Sequence, residues 1–171
     1  MPVFSKEIFI ASELRHIDEA CLQFKRGKTI LCLDYLVEQE MVRKNVPRLS
    51  LADFMDLEDG EEGWWELSHE IAREWYRLPA MKFFEYEGIR IAEAPEPLMQ
   101  AYLARLFYYI RVFSVLKRDY PNSHLVIPAP IVSTPQLSGC LAPLHPWAII
   151  DAARMVGLSF SSIIPRNLRV L

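Results

Sequence analysis

An excess of positive charge is absent from this sequence. Lys and Arg together number 19 against 22 Asp and Glu, which gives a formal net charge of −3 at pH 7. Proteins that bind nucleic acid through its phosphates need clustered Lys and Arg side chains. This charge balance gives no electrostatic reason to expect a polyanionic partner, and we predict that the chain does not bind nucleic acid.

Cysteine is also scarce, and no two cysteines have the spacing of a CxxC motif. The three thiols are Cys21, Cys32 and Cys140, an odd number that does not suggest a disulfide framework. The N-terminal residues lack the basic segment, apolar segment and cleavage site of a signal peptide. These absences predict a protein of the reducing cytoplasm.

The motifs that bind nucleotides or supply a hydrolytic nucleophile are missing. No GxGxxG follows the first predicted strand and no GxxxxGK[ST] occurs anywhere, which argues against a dinucleotide site or a P-loop. HExxH and the GxSxG elbow are absent, and no cysteine is placed with histidine and asparagine as in a cysteine protease. We therefore predict no bound cofactor, and the motifs indicate no hydrolase.

Two Glu-x-x-His motifs, Glu13 to His16 and Glu66 to His69, have the spacing that di-iron carboxylate bundles use twice. Such a site requires both motifs to face the inside of a four-helix bundle, together with two further glutamates. Helical periodicity instead predicts both histidines on the polar sides of their helices, and the strand-like runs contradict a bundle. We predict solvated surface pairs here and no metal site.

Apolar residues, in contrast, are plentiful. They make up 51% of the 171 residues, and aromatic residues make up 12%. The mean hydropathy of +0.08 indicates enough apolar surface to offset the entropy that the chain loses on folding. Because domains commonly run to about 100–200 residues, we predict a single domain over residues 1–171.

The first half of the chain alternates strand-like and helical patterns. Residues 8–11 form a bulky apolar run typical of a buried strand, and Ser12 has the residue type of an N-cap for a helix that ends at Gly27. Residues 29–35 read as a second buried strand, so the chain opens with a β-α-β unit. Residues 46–63 are polar and acidic and are predicted to form a mobile loop.

A second amphipathic helix is predicted to end before Pro79. Its apolar face is formed by Trp64, Leu67, Ile71, Trp75 and Leu78. The residues after it, 83–91, alternate only loosely between apolar and polar types. They fit an edge strand, a hairpin or an extended connection.

The second half of the chain continues the alternation. A long apolar helix is predicted to end near Tyr120, followed by a strand at 124–128. A last helix runs from Pro146 to Val156 with Gly157 as its C′ residue, and residues up to Ile164 form a strand. This order predicts an α/β fold, a three-layer Rossmann-like domain with a mainly parallel sheet of about four to five strands.

Residues 98–116, within the long helix, are about as long and as apolar as the roughly 20 residues that span a bilayer core. Arg105 and Arg111 fall inside this stretch, and each costs about 2.5–3.5 kcal/mol near the centre of a lipid-exposed helix. We therefore predict a buried helix, with association of the chain with a membrane surface as the alternative. Arg105 projects away from the polar strip of this helix, so it is either buried against a carboxylate or directed at a ligand phosphate.

Ligands of open α/β sheets bind outside the carboxyl ends of the strands. This rule selects Ser12 and Glu13 after the first strand, Asp34 and Tyr35 after the second, and the loop 129–145 after the third. Ser12 and Glu13 open a helix whose free N–H groups either hold an anion or are simply capped.

Two side chains at this edge are candidates for acid-base chemistry. Asp34 is either a general base or an acceptor for N–H groups of the following loop. His145 is followed by Pro146 and Trp147 at a predicted helix start. It either carries a proton beside a substrate or caps the helix, with Trp147 in the core.

Two segments of the chain carry a resemblance to a known family. Residues 66–76 read ELSHEIAREWY and residues 84–89 read FEYEGI, and a long apolar helix then precedes a strand. This combination resembles the N-terminal half of certain surface-polysaccharide glycosyltransferases of the GT-B architecture, which has two facing Rossmann-like domains. The similarity covers residues 6 to about 160.

The resemblance implies an acceptor-side domain that contributes the loops after its first strands to a sugar-transfer cleft. Its acceptor is a glycan or a lipid-linked sugar, and the nucleotide-sugar binds to a second domain that this chain does not include. The implied cleft has Asp34 and His145 as catalytic residues and is lined by the substrate-binding residues Ser12, Glu13, Tyr35 and Arg105. The chain alone is then inactive, and it works in the cytoplasm or in peripheral contact with the inner face of the membrane.

A different class of function stays open. Those Trp and Phe side chains that are exposed would form an interface with another protein. The chain is then a non-catalytic interaction domain of a larger assembly, or a homodimer. Charged residues at the strand ends favour the transferase, whereas a continuous apolar patch on the outside of a helix favours the interaction domain.

Overall fold

The computed structural model describes residues 6–54, 61–74, 77, 79, 85–86, 89–90, 96–129 and 144–164. The strands are β1 (Glu7–Ala11), β2 (Thr29–Cys32), β3 (Glu85–Tyr86), β4 (Ile89–Arg90), β5 (His124–Pro128) and β6 (Ser159–Ile163). The α-helices are α1 (Ile17–Lys25), α2 (Tyr35–Arg43), α3 (Glu61–Glu74), α4 (Glu96–Asp119) and α5 (Leu144–Val156). Two 3₁₀ turns, Leu14–His16 and Leu51–Phe54, complete the described elements.

Four strands form one parallel sheet in the order β2-β1-β5-β6. Strand β1 lies at its centre and pairs with β2 on one side and β5 on the other. Strands β3 and β4 form a separate antiparallel pair, which is the hairpin alternative for residues 83–91. The predicted α/β class, a three-layer domain with a mainly parallel sheet of about four to five strands, is confirmed.

Alternate residues of each buried strand point to opposite helical layers. Ile8 and Ile10 of β1 pack with α4 and α5 in the larger core cluster. Phe9 and Ala11 pack with α1 and α2 in the smaller one. Because both faces of β1 are covered, its residues read as one continuous apolar run. The domain therefore has three layers, with the sheet in the middle.

Helix α2 was not expected, because the second predicted strand ran to residue 35. The strand ends at Cys32, and α2 begins at Tyr35. The side chain of Asp34 decides this boundary, because it accepts hydrogen bonds from the first N–H groups of the helix. The predicted strand at 29–35 therefore comprises the strand β2, the cap residue Asp34 and the first residue of α2.

The acidic loop predicted at 46–63 is shorter than expected. Leu49 forms an isolated parallel bridge with Leu31 at the edge of the sheet. A 3₁₀ turn follows at Leu51–Phe54, and α3 already begins at Glu61. The rest of the predicted loop, 55–60, lies outside the described residues.

Helix α3 ends at Glu74, and its buried face differs from the predicted one. Ser68 and Ala72 are fully buried, whereas Leu67 and Ile71 are 46% and 40% exposed. The helix packs against α4, and small residues at the contact let two helices approach closely. The prediction placed the large apolar residues inward and was wrong at Leu67 and Ile71. The side chains of Trp64, Trp75 and Leu78 lie outside the described part of the chain.

Helices α4 and α5 pack side by side on the sheet. The Tyr102 hydroxyl of α4 donates to Asp151 Oδ2 of α5 at 2.5 Å. Burial, together with this hydrogen bond to the carboxylate, raises the pKa of Tyr102 to about 12. The long apolar stretch is thus part of the helical layer, as predicted. Among the described residues, no helix is both long and apolar enough to cross a membrane.

Gly157 ends α5 with a φ of +72°, as predicted for a C′ glycine. An added Cβ would lie 3.2 Å from Lys117 Nζ, which itself donates to the Val156 carbonyl at 2.7 Å. We expect Gly157→Ala to lower the free energy of unfolding by about 1–2 kcal/mol, because left-handed backbone disfavours a side chain. Urea denaturation measures this change.

Gly27 is the matched control for this substitution. It has a φ of +82°, and a Cβ there would meet nothing within 4 Å. Gly27→Ala should therefore show the backbone cost alone, and Gly157→Ala should cost at least as much. A stability loss for Gly157→Ala clearly smaller than that for Gly27→Ala contradicts the close approach of Lys117.

Candidate functional site at the carboxyl edge of the sheet

The chain changes direction across the sheet between β1 and β5. The connection from β1 leads through α1 to β2 on one side, whereas β5 leads through α5 to β6 on the other. Because the two connections cover opposite faces, the carboxyl ends of β1 and β5 are the switch point at which open α/β sheets have their ligand crevice.

Ser12 directly follows β1 at this crevice and is buried. Its backbone N–H donates to His16 Nδ1 at 3.4 Å, and its hydroxyl lies 3.5 Å from the same nitrogen. Nδ1 is thus placed to accept from the Ser12 N–H. The predicted role of Ser12 as a helix cap is wrong, because a 3₁₀ turn separates it from α1.

His16 was predicted on the polar side of its helix and is instead buried. The 3₁₀ turn shifts the start of α1, so that His16 becomes its N-cap residue and turns inward. The other histidine of the pair, His69, is exposed on α3 as expected. Among the described residues, no three His, Cys, Asp or Glu side chains lie close enough together to hold a metal ion.

Glu13 is engaged by a neighbouring arginine. Arg15 Nε lies 2.7 Å from Glu13 Oε2, and Arg15 Nη2 donates to Glu13 Oε1 at 2.8 Å. This two-point contact orients both side chains at the rim of the crevice. Glu13 therefore offers a neutral ion pair to a ligand rather than an isolated negative charge.

Asp34 follows β2 and caps α2. Its Oδ1 accepts from the Leu36 N–H at 2.9 Å and from the Val37 N–H at 3.1 Å. Both donors reach the same oxygen, and among the described residues no donor reaches Oδ2. The predicted acceptor role is confirmed, with helix N–H groups in place of loop N–H groups.

We expect Asp34→Ala to destabilise the domain by about 1 kcal/mol, because two N–H groups at the start of α2 lose their acceptor. Thermal or urea unfolding measures the loss. Asp34→Asn is the control, since asparagine caps helices nearly as well. Equal stability of the alanine and asparagine variants would contradict the capping role.

Tyr35 begins α2 and is 68% exposed. The register pairs Ala11 with Cys32, so the 3₁₀ turn that holds Leu14 and the start of α2 leave the sheet at the same edge. This 3₁₀ turn contacts α2, and Leu14 and Leu36 are also exposed. We call the three exposed apolar residues that follow these strand ends, Leu14, Tyr35 and Leu36, the apolar lip.

A hydrogen-bonded group of polar side chains, Glu38, Arg48 and Ser50, lies near the end of β2. Glu38 accepts from Arg48 Nη2 at 3.0 Å and from the Ser50 hydroxyl at 2.9 Å. The charges of Glu38 and Arg48 lie close enough to the Cys32 thiol to shift its pKa. Burial raises the pKa of Cys32 to about 12, and the nearby Arg48 lowers it only in part. The network positions the start of α2 and with it Asp34 and Tyr35.

The two remaining predicted site residues are His145 on α5 and Arg105 on α4. His145 lies in the first turn of α5, but its side chain and the preceding loop 130–143 lie outside the described residues. Trp147 was expected in the core and is 44% exposed. Arg105 is half-buried on α4. It stands 14 residues before the end of that helix, or about 21 Å along its axis.

The structure therefore groups Ser12, Glu13, Asp34 and Tyr35 at one edge of the sheet. Sequence reasoning missed His16, because the 3₁₀ turn that buries it leaves no mark on helical periodicity. It also missed Leu14 and Leu36, since exposed leucines in amphipathic patterns look like core residues. The position of each, three or four residues after a strand end, was the signal that would have selected them.

Comparison of the chain with protein-family models, with curated protein sequences and with solved structures finds no match. The fold and the grouping of side chains are therefore supported by the structure of this chain alone. The glycosyltransferase resemblance stays a prediction.

Proposed function

We propose that the chain is the acceptor-side domain of a glycosyltransferase of surface-polysaccharide synthesis. The observation that carries the proposal is the apolar lip, in which the exposed Tyr35 directly follows Asp34, a residue whose Oδ2 receives no hydrogen bond within the described part of the chain. An aromatic face next to a carboxylate suits a sugar, whose C–H groups pack on the ring while its hydroxyls reach the oxygen. The site lies at the edge where α/β sheets bind ligands.

Asp34 acts as the general base in this proposal. An acceptor hydroxyl donates to Oδ2, and its oxygen attacks the anomeric carbon of the nucleotide-sugar. The bond from that carbon to the nucleotide diphosphate breaks, and the hydroxyl proton passes to Asp34. The nucleotide-sugar is held by a second domain, so this chain alone binds the acceptor without turning it over. His145, at the start of α5, is the second acid-base group.

The remaining predicted residues bind the acceptor. Leu14 and Leu36 extend the apolar lip beyond Tyr35, which suits the lipid part of a lipid-linked sugar and brings the domain into peripheral contact with a membrane. Glu13 with its partner Arg15 gives a polar rim, and Ser12 and His16 form the floor. Arg105 of α4 is the candidate contact for an acceptor phosphate.

Ligand-observed NMR of the purified chain against glycan acceptors and nucleotide-sugars tests this function. We expect saturable binding of an acceptor and none of a nucleotide-sugar. Tyr35→Ala should weaken acceptor binding at least about tenfold, a loss of roughly 1.4 kcal/mol. Asp34→Asn and His145→Ala should also weaken it, whereas Leu67→Ala on the distant α3 should not.

Two results would contradict the proposal. One is the absence of binding to every acceptor in the panel. The other is acceptor binding that Tyr35→Ala and Asp34→Asn leave unchanged, because the ligand would then sit elsewhere.

One observation favours an interaction domain as the second candidate. Leu67 and Ile71, one helical turn apart on α3, are both exposed, and such pairs form contacts between helices. In this alternative two copies of the chain associate through α3. A concentration-dependent dimer in light scattering, lost in the double variant Leu67→Lys and Ile71→Lys, would support it. A monomer at all concentrations would exclude the dimer.

A further inference from the structure

Three polar side chains meet on the sheet at the end opposite to the apolar lip. His124 begins β5, and Ser159 and Ser161 lie on the neighbouring β6. The register pairs His124 with Ser159 and Val126 with Ser161. Since alternate residues share a face, all three project from the same face as Val126, which is the face that carries α1 and α2.

The imidazole of His124 bridges the two hydroxyls. Nδ1 lies 3.1 Å from Ser159 Oγ, and Nε2 lies 3.0 Å from Ser161 Oγ. Ser159 Oγ in turn donates to the backbone carbonyl of Ser123 at 3.3 Å. His124 is half-buried, whereas both serines are exposed.

The carbonyl at one end indicates a direction for this chain of hydrogen bonds. A carbonyl only accepts, so in the contact with Ser123 the Ser159 hydroxyl is the donor. Ser159 Oγ then accepts from Nδ1–H of His124, and this is the tautomer that the proposal requires. Nε2 is left with its lone pair, and it accepts the hydrogen of Ser161.

We propose that Ser161 is a nucleophilic serine, with His124 as its general base and Ser159 as the residue that orients the base. A hydroxyl within hydrogen-bond reach of an imidazole that a third group orients is the arrangement that activates serine nucleophiles. The class of substrate is an acyl group on a good leaving group, as in an activated ester or a thioester. This reactivity is separate from the acceptor site, because it lies at the other end of the strands.

The reaction at Ser161 is an acyl transfer. Ser161 Oγ attacks the carbonyl carbon of the ester, and its proton moves to His124 Nε2. The bond from that carbon to the leaving oxygen or sulfur breaks, and the leaving group takes the proton from Nε2. The products are the Ser161 ester and a free alcohol or thiol. Because Ser161 is exposed, an acyl donor reaches it without any opening of the core.

Acetylation by p-nitrophenyl acetate tests the proposal on the full chain. We expect release of p-nitrophenolate with transfer of one acetyl group, which peptide mapping by mass spectrometry places on Ser161. His124→Gln should slow this acetylation at least about 100-fold, because general-base catalysis contributes about that much or more. Ser159→Ala should slow it less. Ser162, the next residue of β6, is also exposed and is the matched control, and Ser162→Ala should leave the rate unchanged.

A second measurement does not depend on reactivity. Long-range ¹H–¹⁵N correlation spectra of the folded chain report which ring nitrogen of His124 carries the proton. We expect the Nδ1–H tautomer in the wild type and its loss in Ser159→Ala. Circular dichroism of each variant confirms that the chain is folded.

Either of two results overturns the proposal. One is a folded wild type in which Ser161 is not acetylated, or is acetylated at the same rate in His124→Gln. The other is the Nε2–H tautomer in the wild type, because Nε2 could then not take the proton of Ser161.

Discussion

Phe113→Ala lowers the free energy of unfolding by about 3–5 kcal/mol, the cost typical of removing a fully buried phenylalanine. Phe113 of α4 is completely buried and belongs to the larger core cluster between α4, α5 and the sheet. Its ring also stacks on Tyr109, with the ring centres 6.4 Å apart. The substitution removes apolar contact area and leaves a cavity that the two helices cannot fill without moving.

Urea denaturation of the variant, followed by circular dichroism, measures this loss. Phe24→Ala is the matched control, since Phe24 on α1 is 37% exposed and its truncation should cost roughly 1 kcal/mol or less. Equal losses for the two variants would contradict the packing of α4 against the sheet.

The second large effect concerns the reactivity of Cys32. Its pKa is raised from 9.0 to about 12, chiefly because the thiol is buried. The difference of about three pH units reduces the fraction of reactive thiolate about a thousandfold at neutral pH, and the core also blocks access. In a background with Cys140 replaced by serine, we expect Cys21, which is half-buried, to react with a thiol reagent while Cys32 stays unmodified.

Mass spectrometry after timed alkylation separates the two cysteines, and alkylation in urea is the control that both thiols are chemically competent. Labelling of Cys32 in the folded chain at a rate comparable to that of Cys21 would contradict the burial of β2. Such labelling would mean that the edge of the sheet at β2 opens locally in the folded chain.

The raised pKa of Cys32 also gives the stability a pH dependence of definite sign. The folded state holds the thiol proton up to about pH 12, whereas the unfolded state loses it above about pH 9. Above pH 9 the unfolded chain therefore binds fewer protons, and the stability that the neutral thiol contributes is lost as the pH rises. Cys32→Ala should lose stability less steeply than the wild type between pH 9 and 11.

The buried strands and the long helix could be predicted because each is marked by its own apolar residues. The runs at 8–11 and 124–128 are covered on both faces, so nearly every residue is apolar and the strands need no alternation to be seen. Gly157 marked the end of α5 because few other residues adopt its backbone angles.

The features that failed depend on which partner an element meets. The outward position of Leu67 and Ile71 follows from the packing of α3 on α4 through Ser68 and Ala72. Helical periodicity identifies an apolar stripe but does not identify the surface that covers it. The burial of His16 likewise depends on the 3₁₀ turn that joins β1 to α1.

The sequence by itself determined the α/β class, the alternation of elements and the residues that follow each strand, because these depend on local patterns of side chains. Only the tertiary structure decided the strand order, which brings the loops after β1 and β2 together. It also decided that Asp34 caps α2 through Oδ1, and that His124 meets Ser159 and Ser161 across 35 and 37 residues of chain. Contacts between residues so far apart depend on which strands lie next to each other in the sheet, and this is decided by tertiary packing.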